Sequence, residues 1–236
     1  MFDHHTVSQV RALFAPIHKD GYKFVAIGAA ATVVAFLLSN VLGFLFLIVT
    51  LALVFFFRDP QRVVPVQDGL VVAPADGTVI SIEEVAPPVE LGFESGSKTR
   101  VSLFLSLFDV HVIRTPVSGR VTKTFHRPGL YLNAAAPEAP AQNECFGVAV
   151  QTKDAFEIGA VLVAGTVARR IVTTVYEGDL VSAGERIGII RFGSRVDIYL
   201  PARCPLLVSV GQRTIAGETM IADFKSQLPE RLFRRI

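Results

Sequence analysis

Polar and apolar positions divide the chain into two unlike parts. Residues Phe24 to Phe57 contain no Asp, Glu, Lys, Arg or His, and their most polar members are Thr32, Ser39, Asn40 and Thr50. A charge-free run of this kind reads as a membrane-embedded helical segment. As one straight helix it would extend about 51 Å at ~1.5 Å per residue, against a hydrocarbon core of about 30 Å. The run therefore either tilts strongly or folds back on itself, and Ser39-Asn40 followed by Gly43 is the natural turn. From Val66 onward the pattern changes to apolar stretches rich in Val and Ile, broken by Gly, Pro and Asp. "GLVVAPADGTVISIEEV", "FGVAVQTKD" and "RIGIIRFGSRVDIYLP" are examples. Short runs with turn signals between them predict a mainly β fold, a sandwich or barrel.

The flanks of the apolar run bear on its topology. Arg11, Lys19 and Lys23 precede it, and Arg58 and Arg62 follow it. Basic residues on both sides favour a hairpin with both ends on the cytoplasmic face over a single span. A buried core hairpin is the bland alternative. The run starts too late and is too long for a secretory signal peptide. The expected organisation is a cytoplasmic segment 1–23 with a short helix around Val7 to Phe14, a membrane segment 24–57, a linker 58–65 ("RDPQRVVP") and a β domain 66–236. The C-terminal "RLFRRI" suits contact with anionic lipid or, equally, a solvated tail.

Hydrophobic residues make up 51% of the 236, and the formal net charge is +2. No basic block interleaved with aromatics appears, so a nucleic-acid partner is not expected. Cys145 and Cys204 lack metal-ligand spacing and read as free thiols. "EGDLVSAGERIGII" and "SVGQRTIAGETMIA" resemble each other, as a low-level repeat inside one β domain would. A lipoyl- or biotinyl-carrier reading needs a lysine at the hairpin tip, and neither stretch has one. "PEAPAQNEC", 137–145, is a loop over the β scaffold, either a lid or an inert excursion.

Candidate chemistry is sparse. His4, His5 and His18 belong to the N-terminal segment, and His126 sits before the turn "RPG". His111, in "FDVHVIRTP", lies within or just after an apolar strand, with Asp109 two residues back on the same face. A core histidine is the commoner meaning of such a position. Asp76 in "APADGTV" precedes a glycine, so an Asp-Gly turn is the simplest reading. No acidic pair has metal or acid/base spacing. Gly193-Ser194 is not the hydrolase elbow, because Phe192 and Val196 stand where glycines belong. The residues alone give a membrane-anchored β domain of unstated activity.

Taken together, "RFGSRVDIYLP", "FDVHVIRTPVSGRV" and "APADGTV" resemble the phosphatidylserine decarboxylases, in particular their short bacterial form. The resemblance runs from the membrane segment through "FFRDPQRVVP" to "VGQRTIAGETMIADF". It implies a proenzyme that cuts itself between Gly193 and Ser194, giving a β chain 1–193 and an α chain 194–236. The Ser194 hydroxyl attacks the Gly193 carbonyl, and the amide becomes an ester. Elimination frees the new C-terminus and leaves dehydroalanine, whose hydrolysis releases ammonia and a pyruvoyl group. That covalent group is the implied cofactor; no metal is needed. It binds the amine of the serine headgroup as a Schiff base and acts as electron sink while the carboxylate leaves. Phosphatidylethanolamine is the product.

Asp76 matches the aspartate of the family's cleavage relay. His111 matches the first histidine of the two-histidine motif, but Arg114 occupies the second, the one usually assigned to the relay. His111 is therefore expected as acid/base in decarboxylation and as an aid to cleavage. Arg114 is expected to bind lipid phosphate or substrate carboxylate. The lid motif reads Asn143-Glu144-Cys145 where Asn-Glu-Arg is usual. Implied partners are phosphatidylserine, membrane lipid and the two chains of one precursor, at the cytoplasmic (inner) membrane; homo-oligomerisation is left open. The competing readings are an unprocessed membrane-anchored binding module and a pyruvoyl decarboxylase of another headgroup.

Overall fold

The structure, a computed structural model, describes residues 15–94, 96–136, 138–166, 170–191 and 194–226. The expected helix around Val7 to Phe14, His4, His5, Gly193 and "RLFRRI" lie outside the described residues. The chain divides into two compact units, Met1–Gln61 and Arg62–Ile236.

The first unit contains two apolar helices, α1 (Tyr22–Leu38) and α2 (Asn40–Phe56). Ser39 between them is extended, with φ −165° and ψ 137°, which ends α1 after Leu38. The helices fold back on each other. Thr32 and Thr50 bond their own helix carbonyls, at Gly28 and Phe46, and each other at 3.0 Å. Such bonding leaves no hydroxyl unsatisfied in an apolar surround. A Cβ on Gly43 would lie 2.2 Å from the Phe36 ring, so glycine is what permits the close approach. The two ends meet: His18 N–H donates to Phe57 O at 2.8 Å, and Asp59 N–H to Pro16 O at 2.7 Å. With its short lead-in, Lys19–Leu38 is long and apolar enough to cross a membrane, while Asn40–Phe56 is a shorter apolar helix.

The second unit is mainly β. Its largest sheet joins β2 (Gly77–Val85), β3 (Lys98–Leu105), β5 (Gly119–Arg127), β6 (Cys145–Gln151), β7 (Glu157–Ala164), β9 (Leu180–Val181), β11 (Ser194–Pro201) and β12 (Arg213–Thr214). The order across it is β12-β2-β3-β11-β7-β6-β5-β9. A second sheet joins β4 (Val112–Arg114), β8 (Ile171–Thr173) and β10 (Arg186–Ile190), and β1 (Leu70–Val72) pairs with β13 (Met220–Asp223). A short α-helix, α3 (Ala139–Gln142), belongs to the 130–144 loop.

Two halves of this unit repeat the same bonds. Val79 exchanges backbone hydrogen bonds with Gly211 and Gln212, as Val121 does with Gly178 and Asp179. Gly217 N–H donates to Ala73 O, and Gly184 N–H to Thr115 O. Gly184 and Gly217 have φ of +75° and +77°, a conformation that favours glycine. The halves interlock reciprocally: Val72 N–H donates to Pro116 O and Arg114 N–H to Pro74 O, both at 2.8 Å. The two glycine-punctuated stretches are thus one turn built twice.

β11 is central, flanked by β3 and β7. Val196, Ile198 and Leu200 enter the main core with Leu103, Leu105 and Leu162. The alternate residues Arg195, Asp197 and Tyr199 are buried as well. The period-2 pattern alone would leave that face to solvent. Instead Leu91, Phe93, Ala136 and Ala139, from two segments outside the sheet, pack with Tyr199 and cover it.

Candidate active site

Ser194 opens β11, opposite Leu105 on β3 and Ala164 on β7. It is 0% exposed, and its Oγ has no hydrogen-bond partner among the described residues. A buried hydroxyl without a partner costs about 1–3 kcal/mol. Such an atom at the start of a central strand calls for a functional explanation.

His111 reaches the same end of the sheet by a different route. β10 runs toward Ser194, and its last residue, Ile190, donates its N–H to His111 O at 3.1 Å. β3 leaves the sheet at Leu105, Ser194's neighbour, and residues 106–110 lead back to His111. His111 is thus joined to Ile190, four residues before Ser194, and follows six residues after Leu105, which pairs with Ser194. The His111 ring is buried, with Nδ1 2.9 Å from Asp109 O. A carbonyl can only accept, so Nδ1 carries the proton and Nε2 is the nitrogen that exchanges one.

Asp109 lies in the 106–111 loop rather than on a strand. Its carboxylate accepts from Ser106 N–H and Oγ at 2.8 Å each, and pairs with Arg213. Its backbone carbonyl accepts from His111 Nδ1.

Asp76 sits immediately before Gly77, which neighbours Leu105; Leu105 in turn pairs with Ser194. One whole strand, β3, separates Asp76 from Ser194, a backbone distance of about 10 Å across two strand spacings. The Asp76 carboxylate accepts from Arg62 Nη2 at 2.7 and 3.0 Å and from Ala216 N–H at 2.8 Å. Burial raises its carboxyl above the usual range, outweighing the Arg62 guanidinium and the Ala216 N–H, which pull the other way. In the other half of the repeat Ser118 Oγ accepts from Ala183 N–H, also at 2.8 Å. Asp76 thus occupies a turn-capping place that the fold uses twice, and the Arg62 partnership is what distinguishes it.

Arg114, on β4, is buried, and its Nη1 donates to Gly184 O at 2.8 Å. His126 is on β5 with Nε2 3.1 Å from Glu144 Oε1, and His18 Nδ1 accepts from Asp20 N–H. Cys145 and Cys204 are free and buried, and burial pushes both thiols up, Cys204 to about 11. Among the described residues no group of three His, Cys, Asp or Glu side chains is placed to hold a metal.

Sequence reasoning named Asn143 only as part of a lid motif, and left the partners of three groups unassigned. Asn143 is fully buried: its Nδ2 donates to Leu132 O and Ala164 O, and its Oδ1 accepts from Leu132 N–H. It ties the 130–144 loop to the residue paired with Ser194. Arg195 Nε donates to Asp197 Oδ1 at 2.6 Å, a buried ion pair along β11, and its Nη2 donates to Ser102 Oγ on β3 at 2.8 Å. Arg62, seen only as a flanking cation, is the partner of Asp76. An asparagine in a loop otherwise rich in Ala and Pro was the one local signal; the other two depend on strand pairing.

The arrangement offers a buried hydroxyl at a strand start and a histidine, held in one tautomer, bonded to the end of the preceding strand β10. The sequence profile described as "Phosphatidylserine decarboxylase" matches residues 49–222. A protein of Nitrobacter winogradskyi named phosphatidylserine decarboxylase proenzyme is 46% identical over 225 residues, covering 95% of this chain and 91% of that relative. One of Xanthobacter autotrophicus with the same name is 44% identical over 230 residues, 98% of each chain. One of Ruegeria pomeroyi, also so named, is 47% identical over 210 residues, 89% of this chain and 96% of the relative. A match of this extent, across the strand that carries Ser194 and the loop that carries His111, places the chain in the phosphatidylserine decarboxylase family.

Proposed function

We propose that this chain is a proenzyme that cuts itself between Gly193 and Ser194 and then converts phosphatidylserine to phosphatidylethanolamine. The observation that carries the reading is the Ser194 hydroxyl, wholly buried and without a described partner. A buried hydroxyl with no hydrogen-bond partner among the described residues suits a residue consumed in making a pyruvoyl group. That group supplies an electron sink for loss of carbon dioxide.

This chain's own residues supply the rest. Oγ of Ser194 attacks the Gly193 carbonyl; a base must take its proton. His111 is the proposed proton-exchanging group, through Nε2, in decarboxylation and as an aid to cleavage. Asp76 is proposed to support cleavage from its place beyond β3. Burial biases its carboxyl toward the protonated form against the pull of Arg62 and Ala216, whose bonds fix its position. Arg114 is proposed to bind the lipid phosphate or the substrate carboxylate while its Nη1 holds the Gly184 carbonyl, since a guanidinium carries five N–H donors. The 194–236 chain would stay bound after the cut, because β11 pairs on both sides with strands of 1–193.

The helical hairpin is proposed to enter the membrane from the cytoplasmic side. Each 17-residue helix is about 26 Å long, close to the hydrocarbon thickness of about 30 Å. A membrane anchor suits a diacyl substrate, since each methylene exposed to water costs about 0.8 kcal/mol. The test is turnover of headgroup-labelled phosphatidylserine by purified protein in mixed micelles. Labelled phosphatidylethanolamine should form with the wild-type chain and not with Ser194→Ala. Equal product from the variant would end the proposal.

A further inference from the structure

The loop between β3 and β4 holds a tight turn whose corners are the wrong residues for water. Asp109 N–H donates to Ser106 O at 3.0 Å, closing a four-residue turn over 106–109. The Asp109 carboxylate binds Ser106 twice and pairs with Arg213, so the turn is pinned from inside and from β12. Corner positions of such turns favour Gly, Pro, Asn, Asp and Ser. Here they are Leu107 and Phe108, 51% and 77% exposed.

Scattered apolar side chains on a surface are ordinary. These two differ in being adjacent, held outward by a polar lock, and placed beside Ser194. Leu105, the residue that enters the turn, pairs with Ser194, and His111, just past it, bonds Ile190. Arg213 at the base of the turn is half exposed while paired with Asp109.

We propose that Leu107 and Phe108 form a lipid-facing wedge, which enters the interfacial layer of the bilayer beside the mouth of the site. Apolar side chains dipping below the headgroups with a basic residue above them is the chemistry of interfacial binding. The wedge brings the Ser194 end of β11 toward the depth at which a phospholipid headgroup lies, so the substrate's acyl chains stay in the membrane. What the wedge serves rests on the decarboxylase reading; its contact with lipid does not.

The chain contains no tryptophan, so a single introduced one reports its own surroundings. The full chain carrying Phe108→Trp is reconstituted into phosphatidylcholine–phosphatidylglycerol vesicles, with and without bromine on the acyl chains near the headgroup. Emission should be blue-shifted and quenched about twofold or more by the brominated lipid, as expected for an interfacial side chain. Tyr176→Trp, at a position 71% exposed on another loop, should stay unquenched. Leu107→Trp provides a second reading if Phe108→Trp disturbs the turn. Water-like, unquenched emission from both turn variants would overturn the proposal. So would a blue shift that is insensitive to bromine and grows with protein density, which signals contact with a second copy. Loss of the decarboxylase reading would appear separately, as quenching without conversion of phosphatidylserine.

Discussion

Ser194, His111 and Asp76 make separable predictions at the residue scale. Ser194→Ala should leave one uncut chain on a denaturing gel with unchanged β content by circular dichroism. Its hydroxyl has no described bond to lose. His111→Ala should lower decarboxylation by about 10²–10⁴-fold, the usual worth of a positioned acid or base. Labelled-lipid turnover of protein that has already been cut isolates that step. Normal rates of cutting and turnover would remove His111 from the mechanism. Asp76 carries a pH signature. Its folded carboxyl titrates above the ordinary 3.8, so the folded state holds its proton where the unfolded chain has lost it. That contribution is present below 3.8 and disappears as pH rises through the folded value. Asp76→Asn keeps an acceptor for Ala216 N–H but removes the titration. The stability difference between wild type and variant, read by thermal melts in detergent, should shift against the wild type as pH rises; a pH-independent difference would contradict the assignment.

At the scale of the element, β11 carries the site and is buried on both faces. Its outer face holds Arg195 and Asp197, each almost inaccessible. Removing one partner of such a pair costs about 3–5 kcal/mol, whereas replacing both with apolar side chains costs far less. Asp197→Ala should therefore lower the melting temperature more than Arg195→Met combined with Asp197→Leu. Tyr199, two residues on, is pushed up to about 12 by burial and by Asp197. Between the ordinary value of 10 and about 12 the folded state retains a proton that the unfolded chain has lost. Stability should fall as pH rises through that interval, by about 2–3 kcal/mol at ~1.36 kcal/mol per pH unit. Tyr199→Phe should remove that part of the slope in alkaline melts.

The alternation Val196, Ile198, Leu200 was readable in the sequence because a period of two survives whatever covers the other face. The cover was not readable. Leu91 and Ala139 lie far along the chain from Tyr199, and nothing local announces that they meet it. The pairing of Arg195 with Ser102 is hidden for the same reason, since it needs the register of β11 against β3. Asp76 shows the converse. "ADG" correctly suggests a turn, yet the value of that turn comes from Arg62 and from a repeat in which Ser118 fills the equivalent place. The charge-free run and the Ser39 break were legible because a helix needs only its own residues to satisfy its backbone.

At the scale of the whole molecule, a proenzyme whose two chains share the eight-stranded sheet would account for the buried hydroxyl and the central position of β11. Cutting before Ser194 would leave that strand paired along both edges, so the two pieces should migrate together on a native column and separate only on denaturation. The most direct test of the account is the mass of the protein isolated from active membranes under denaturing conditions. It predicts two polypeptides, 1–193 and 194–236, the smaller one beginning with a pyruvoyl group and therefore closed to stepwise N-terminal sequencing. An intact chain of 236 residues in membranes that decarboxylate phosphatidylserine, or a small fragment with a free amino-terminal serine as the active species, would contradict it.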